Sequence, residues 1–137
     1  MQQQNVRWVQ WVVGLGGLFY TFVGVTQLLT PEWFFMTIGT YPPFNRHYLG
    51  DLGSFTLPMG IALLLAARAP SQQRLLIGFV AAGSLIHSLN HLYDDLVGST
   101  PDPIGTATLI LFALVLIWAL LARPAVGGKP AVASQAV

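Results

Sequence analysis

The stretch Ala107-Thr108-Leu109-Ile110-Leu111-Phe112-Ala113-Leu114-Val115-Leu116-Ile117-Trp118-Ala119-Leu120-Leu121 carries one polar residue, Thr108. A helix on the surface of a soluble protein keeps a polar stripe opposite its buried face. This segment is apolar on every face, which is the pattern of a membrane span. Three more apolar stretches precede it, so the spans fall at about 8–29, 49–67, 75–93 and 104–121. Each is close to the ~20 residues that cross a hydrocarbon core of ~30 Å. The composition agrees. Charged residues make up 8% of the 137-residue chain and hydrophobic residues 54%, where soluble domains carry about 25% charged residues. The pattern predicts an all-α, membrane-embedded antiparallel four-helix bundle over residues 1–123, with lipid as its surroundings. A Gly-, Ala-, Pro- and Ser-rich tail over 124–137 reads as disordered.

The net charge of +1 argues against nucleic acid as a partner. The absence of cysteine excludes thiolate metal sites, iron–sulfur clusters and cysteine nucleophiles. A single arginine, Arg7, precedes the first apolar run, and Thr26-Gln27-Leu28-Leu29-Thr30-Pro31 is a poor match to a small-residue cleavage site. The first segment therefore reads as a retained helix rather than a signal peptide.

The connections differ in character. Residues 30–48 hold Trp33, Phe34, Phe35, Met36, Tyr41 and Phe44 among Pro31, Pro42 and Pro43. An aromatic, proline-broken segment suits the headgroup zone. It predicts a short interfacial helix around Glu32 to Ile38 and a turn at Tyr41-Pro42-Pro43. Arg68 to Arg74 is a short polar turn, and Asp94 to Pro103 a Gly-, Pro- and Asp-rich one. With four spans, one side carries Arg7, Arg68, Arg74, Arg123 and Lys129. The other carries Arg46 together with Glu32, Asp51, Asp94, Asp95 and Asp102. Basic residues favour the cytoplasmic side. Both termini are therefore expected in the cytoplasm, with the acids and all three histidines at the outer face.

That outer face holds the candidate site. His47 and Asp51 are four apart at the mouth of the second span, and His87 and His91 four apart near the end of the third. Residues three or four apart share a helical face. His87, His91 and Asp94 thus form one stripe, with Asn90 beside it, and His47, Asp51 and Ser54 form another. The short second connection makes these spans antiparallel neighbours, so the two stripes sit at one depth and are expected to face each other. Arg46, Asn90 and Asp94 are placed at the rim. Ionisable groups in a membrane are costly and point inward or to partners.

Three readings stay open for this set. Histidines at i and i+4 with carboxylates suit a divalent metal such as zinc, copper, nickel or iron, although the spacing alone is common by chance. A titrating histidine pocket suits a small polar molecule such as a quinone headgroup. The third reading is structural, with the polar groups pinning the second span to the third. Ser88, adjacent to His87, points to another face, so no Ser–His–Asp arrangement is evident.

Other features have plain explanations. Gly17 and Gly24, and Gly53 and Gly60, are each seven apart, which lets helices pack closely in lipid. Pro58 is expected to kink the second span, with Ser54 and Thr56 near the carbonyl it frees. Trp8, Trp11, Trp33 and Trp118 read as interfacial anchors.

The run Gly24-Val25-Thr26-Gln27-Leu28-Leu29-Thr30-Pro31-Glu32-Trp33-Phe34 resembles the end of the first helix in DoxX-like four-helix bacterial membrane proteins. The run Pro43-Phe44-Asn45-Arg46-His47-Tyr48-Leu49-Gly50-Asp51-Leu52-Gly53 is similar to a pattern of an uncharacterised actinobacterial-type branch, in which the third helix also ends in a histidine pair. The resemblance covers about residues 7 to 122. It implies the four-helix fold, a bacterial inner membrane and interest in His47, Asp51, His87 and His91 as a set. Some DoxX relatives are linked to quinone or thiosulfate oxidation complexes; the cysteines that some redox relatives use are absent here. The expectation is a ligand-binding or accessory membrane protein, acting with a membrane protein partner or a second copy, rather than an enzyme. The alternative is a redox subunit that binds quinone or a divalent metal.

Overall fold

A computed structural model describes residues 2–98 and 101–122. The described residues form five helices: α1 (Gln2–Leu29), α2 (Pro31–Thr37), α3 (Arg46–Arg68), α4 (Arg74–Val97) and α5 (Pro103–Leu121). Among the described residues there is no strand. Four helices, α1, α3, α4 and α5, are long and apolar enough to cross a membrane, and α2 is the short helix expected after the first. The protein is an all-helical, multi-pass membrane bundle. The expected disordered tail, with Arg123 and Lys129, lies outside the described residues.

Local chemistry sets the ends. Pro31 cannot extend α1 and occupies the first turn of α2, where its missing N–H is no loss. Asn45 starts α3 by accepting a hydrogen bond from the Tyr48 N–H, at 3.1 Å. Asp102 caps α5, accepting from the Gly105 N–H at 3.0 Å, and Pro103 follows in the first helical position. One boundary differs from expectation. Asp94 and Asp95 belong to α4, which continues to Val97, so the third connection begins at Gly98. The carboxylate of Asp95 accepts the Asp102 N–H at 2.7 Å, which ties the end of α4 to the start of α5.

The glycines decide which helices pair. A Cβ on Gly17 would lie 2.8 Å from the Leu64 nitrogen, and one on Gly24 would lie 2.5 Å from the Leu57 nitrogen. A Cβ on Gly60 would strike the backbone of Thr21, and one on Gly53 would come within 2.9 Å of Leu28. The contacts climb α1 as they descend α3, so the two helices run antiparallel, backbone against backbone, over most of their length. Burial of this kind gains dispersion contacts in lipid, where the hydrophobic effect offers nothing.

The second close pair is α4 with α5. By contrast α3 and α4, although joined by a short turn, are thinly packed; Met59 of α3 reaches Gly83 of α4. The two are antiparallel neighbours, as expected, but their contact is thin beside that of α3 with α1. A short connection fixes their antiparallel course, but the small residues fix the intimate partner of α3, which is α1.

Four spans meet in one core. Val13, Leu63, Ile77, Val80 and Leu116 are fully buried. Tyr20 of α1 is hydrogen-bonded to Ser84 of α4, oxygen to oxygen at 2.7 Å, and this bond links the two helix pairs across the core. Trp8 stacks on Trp118 with ring centroids 4.0 Å apart, joining α1 to α5 at the basic end of the bundle. The outward faces are apolar as well: Phe55, Phe79, Leu75 and Leu111 are exposed, as lipid contact requires. Pro58 lies inside α3, which runs on through it. The hydroxyls of Ser54 and Thr56 donate to Gly50 and Leu52. Neither serves the Ser54 carbonyl, four residues before Pro58, so the expected rescue of that group is not made.

Candidate functional site

Because α3 and α4 are antiparallel and joined at their far ends, the start of α3 and the end of α4 lie on the same side of the bundle. Every histidine is there. His47 and Asp51, one turn apart on α3, approach to 3.5 Å. Their side chains are 89% and 65% exposed, and an exposed pair of this length contributes at most ~1 kcal/mol. Asp51 precedes Gly53 by two residues, so it projects about 200° around the helix from the seam with α1. Arg46 is exposed at the first turn of α3 and makes no ion pair among the described residues.

On α4, His87 and His91 stand one turn apart with their rings edge to face, centroids 4.7 Å apart and planes at 78°. His87 is exposed and His91 half-buried, whereas Ser88 is buried, its hydroxyl donating to the Ser84 carbonyl at 2.8 Å. The different face expected for Ser88 is therefore the face it takes. Asn90 donates to the Asp94 carboxylate at 3.2 Å, so these two rim residues satisfy each other.

The residue that sequence reasoning did not place here is Tyr41. Its ring meets His91 edge to face, with centroids 5.9 Å apart and planes at 83°. The connection between α2 and α3 thus leans over the end of α4. Desolvation first, and then the negative field of Asp94, Asp95 and Asp102, hold the Tyr41 phenol above its ordinary pKa of 10.0. Tyr41 opens the Tyr-Pro-Pro turn, the one signal in the sequence that the chain reverses at this point; nothing there said toward which helix.

The structure brings together His87, His91 and Tyr41, separately His47 with Asp51, and separately Asn90 with Asp94. Among the described residues no hydrogen bond, ion pair or ring contact joins the α3 pair to the α4 pair. No group of three or more His, Asp or Glu among them is placed to hold a metal ion, so the three-ligand set that a divalent cation needs is not assembled. Neither imidazole of α4 has a protein hydrogen-bond partner among the described residues. In a spanning helix such groups favour a partner, and a histidine pair edged by a tyrosine offers donors, acceptors and a flat apolar surface together.

Comparison with models of known families, with curated proteins and with solved structures finds no match. The resemblance to DoxX-like proteins rests on the quoted residues alone.

Proposed function

We propose that this protein binds a small, planar, polar molecule of the quinone type at the outer edge of the bilayer, as an accessory or ligand-binding component of a membrane complex. The binding groups are His87 and His91, with Tyr41 as the ring beside them. Asp94 and Asn90 form the rim on α4. His47, Asp51 and Arg46 stand at the same end of the bundle as a second polar group. The observation that carries the reading is the unpartnered, edge-to-face pair His87–His91 capped by Tyr41. An imidazole N–H there is free to donate to a carbonyl oxygen, while the Tyr41 ring offers a stacking surface. Imidazole and phenol groups in this arrangement suit binding and orienting a small molecule, since they offer hydrogen-bond donors, acceptors and a flat ring together. A redox subunit that holds quinone for a partner's chemistry is the second reading, on the same residues.

The orientation belongs to this proposal. The segregation of Arg7, Arg68 and Arg74 from the acids supports cytoplasmic termini in a bacterial inner membrane.

The test is mass spectrometry of organic extracts from the purified full chain. A quinone-class molecule is expected from the parent protein and is expected to be depleted from His87→Ala and His91→Ala. Equal recovery from all three proteins would overturn the proposal.

A further inference from the structure

At the opposite end of the bundle, a groove of ≈ 410 Å³ opens on the lipid-facing side of α1 and α3. Its lining runs along α1 from Arg7 and Gln10 through Trp11 to Leu15 and Leu18, with Leu64 contributed by α3. Gly14 makes the room. Without a side chain it leaves the groove open beside the small Ala67, 3.6 Å from where a Cβ would stand.

We propose that this groove is a site for one anionic phospholipid, its acyl chain along Trp11, Leu15 and Leu18 and its phosphate against Arg7. Three observations support this occupant. The first is length: from Arg7 to Leu18 the helix rises about 16 Å, and half of a ~30 Å hydrocarbon core is about 15 Å. An acyl chain that starts at Arg7 therefore ends near the bilayer midplane with Leu18. The second is charge. Arg7 begins the lining, and the Gln10 side chain donates to the Arg68 carbonyl at 3.4 Å, which sets the basic end of α3 beside it. Among the described residues no acidic side chain lies at this end. The third is the polarity gradient, with Arg7 and Gln10 first, then Trp11, then leucines, which matches a phospholipid from headgroup through interface to tail. The site is independent of the histidine cluster, which lies at the other end.

The experiment is native mass spectrometry of the full chain in detergent, titrated in parallel with dioleoyl phosphatidylglycerol and dioleoyl phosphatidylcholine. The parent is expected to bind the anionic lipid about fivefold more tightly, the value of one arginine near an anionic headgroup. Arg7→Gln should erase the preference and Arg7→Lys should keep it. Gly14→Leu, which fills the groove, should weaken both lipids, while Gly14→Ala, in ordinary contact with Ala67, should bind and fold like the parent. Equal affinity of the parent for the two lipids overturns the proposal. So does a preference that survives Arg7→Gln, and so does a dimer that excludes lipid from the groove.

Discussion

Gly60 of α3 lies so close to Thr21 of α1 that no side chain fits between them. The same holds at Gly24, where a Cβ would stand 2.5 Å from the Leu57 nitrogen and 2.6 Å from its Cα. Backbone cannot yield as a flexible side chain does. Gly24→Ala and Gly60→Ala should each lower stability by about 1–3 kcal/mol, the usual cost of overpacking. Gly50 supplies the control, since a Cβ there meets nothing within 4 Å. Gly50→Ala should be neutral or stabilise by about 0.4–1 kcal/mol. Thermal unfolding followed by circular dichroism in one detergent checks all three. Equal midpoints for Gly24→Ala and Gly50→Ala would contradict the seam.

The bond between Tyr20 and Ser84 couples the two helix pairs, and its worth is measurable by a double-mutant cycle. Tyr20→Phe and Ser84→Ala should each cost about 0.5–1.5 kcal/mol. Their coupling should be near the ~0.6 kcal/mol typical of interhelical hydrogen bonds in membrane proteins. Strict additivity would mean that the two hydroxyls do not meet in the folded protein.

The Tyr41 phenol should titrate above its ordinary range, because desolvation and then Asp94, Asp95 and Asp102 disfavour the phenolate. The sign follows directly. A folded-state pKa above the unfolded one favours the folded state fully below pH 10, and that contribution is lost as pH rises through the folded value. The difference between ultraviolet titrations of the parent and of Tyr41→Phe isolates this group. Asp94→Asn should move its midpoint down. An unchanged midpoint would remove Asp94 from the neighbourhood of the ring.

Reporter fusions read the orientation. A fusion after Gln72 should report cytoplasm and one after Gly98 the opposite side, given the segregation of basic residues. The reverse pattern would invert the bundle and place the histidines on the cytoplasmic side.

The spans were legible because apolar runs of membrane length have one stable fate, and the observed helices exceed the expected spans by only a few residues at most ends. Gly17, Gly24, Gly53 and Gly60 were legible as packing residues for the same reason: two small residues seven apart share a face. The partner of that face was not legible. The short turn between α3 and α4 suggested that these helices would share the histidine site, whereas the glycine faces committed α3 to α1. Nor did helical spacing reveal Tyr41, because a tertiary approach made by a loop leaves no periodicity. His47 with Asp51, and His87 with His91, were readable as pairs because each lies within one helix. Whether one pair meets the other depends on how far α3 and α4 splay, and nothing local encodes that distance.

On the proposed reading, His87 and His91, edged by Tyr41, bind a quinone-type headgroup. The most direct measurement labels the histidine side-chain nitrogens and follows their magnetic resonance signals in detergent micelles as a short-chain benzoquinone is added. Saturable shifts of the His87 and His91 signals are expected, weakened in Tyr41→Ala, with little change at His47. Signals of His87 and His91 that stay in place, or three histidines that drift together without saturation, would contradict it.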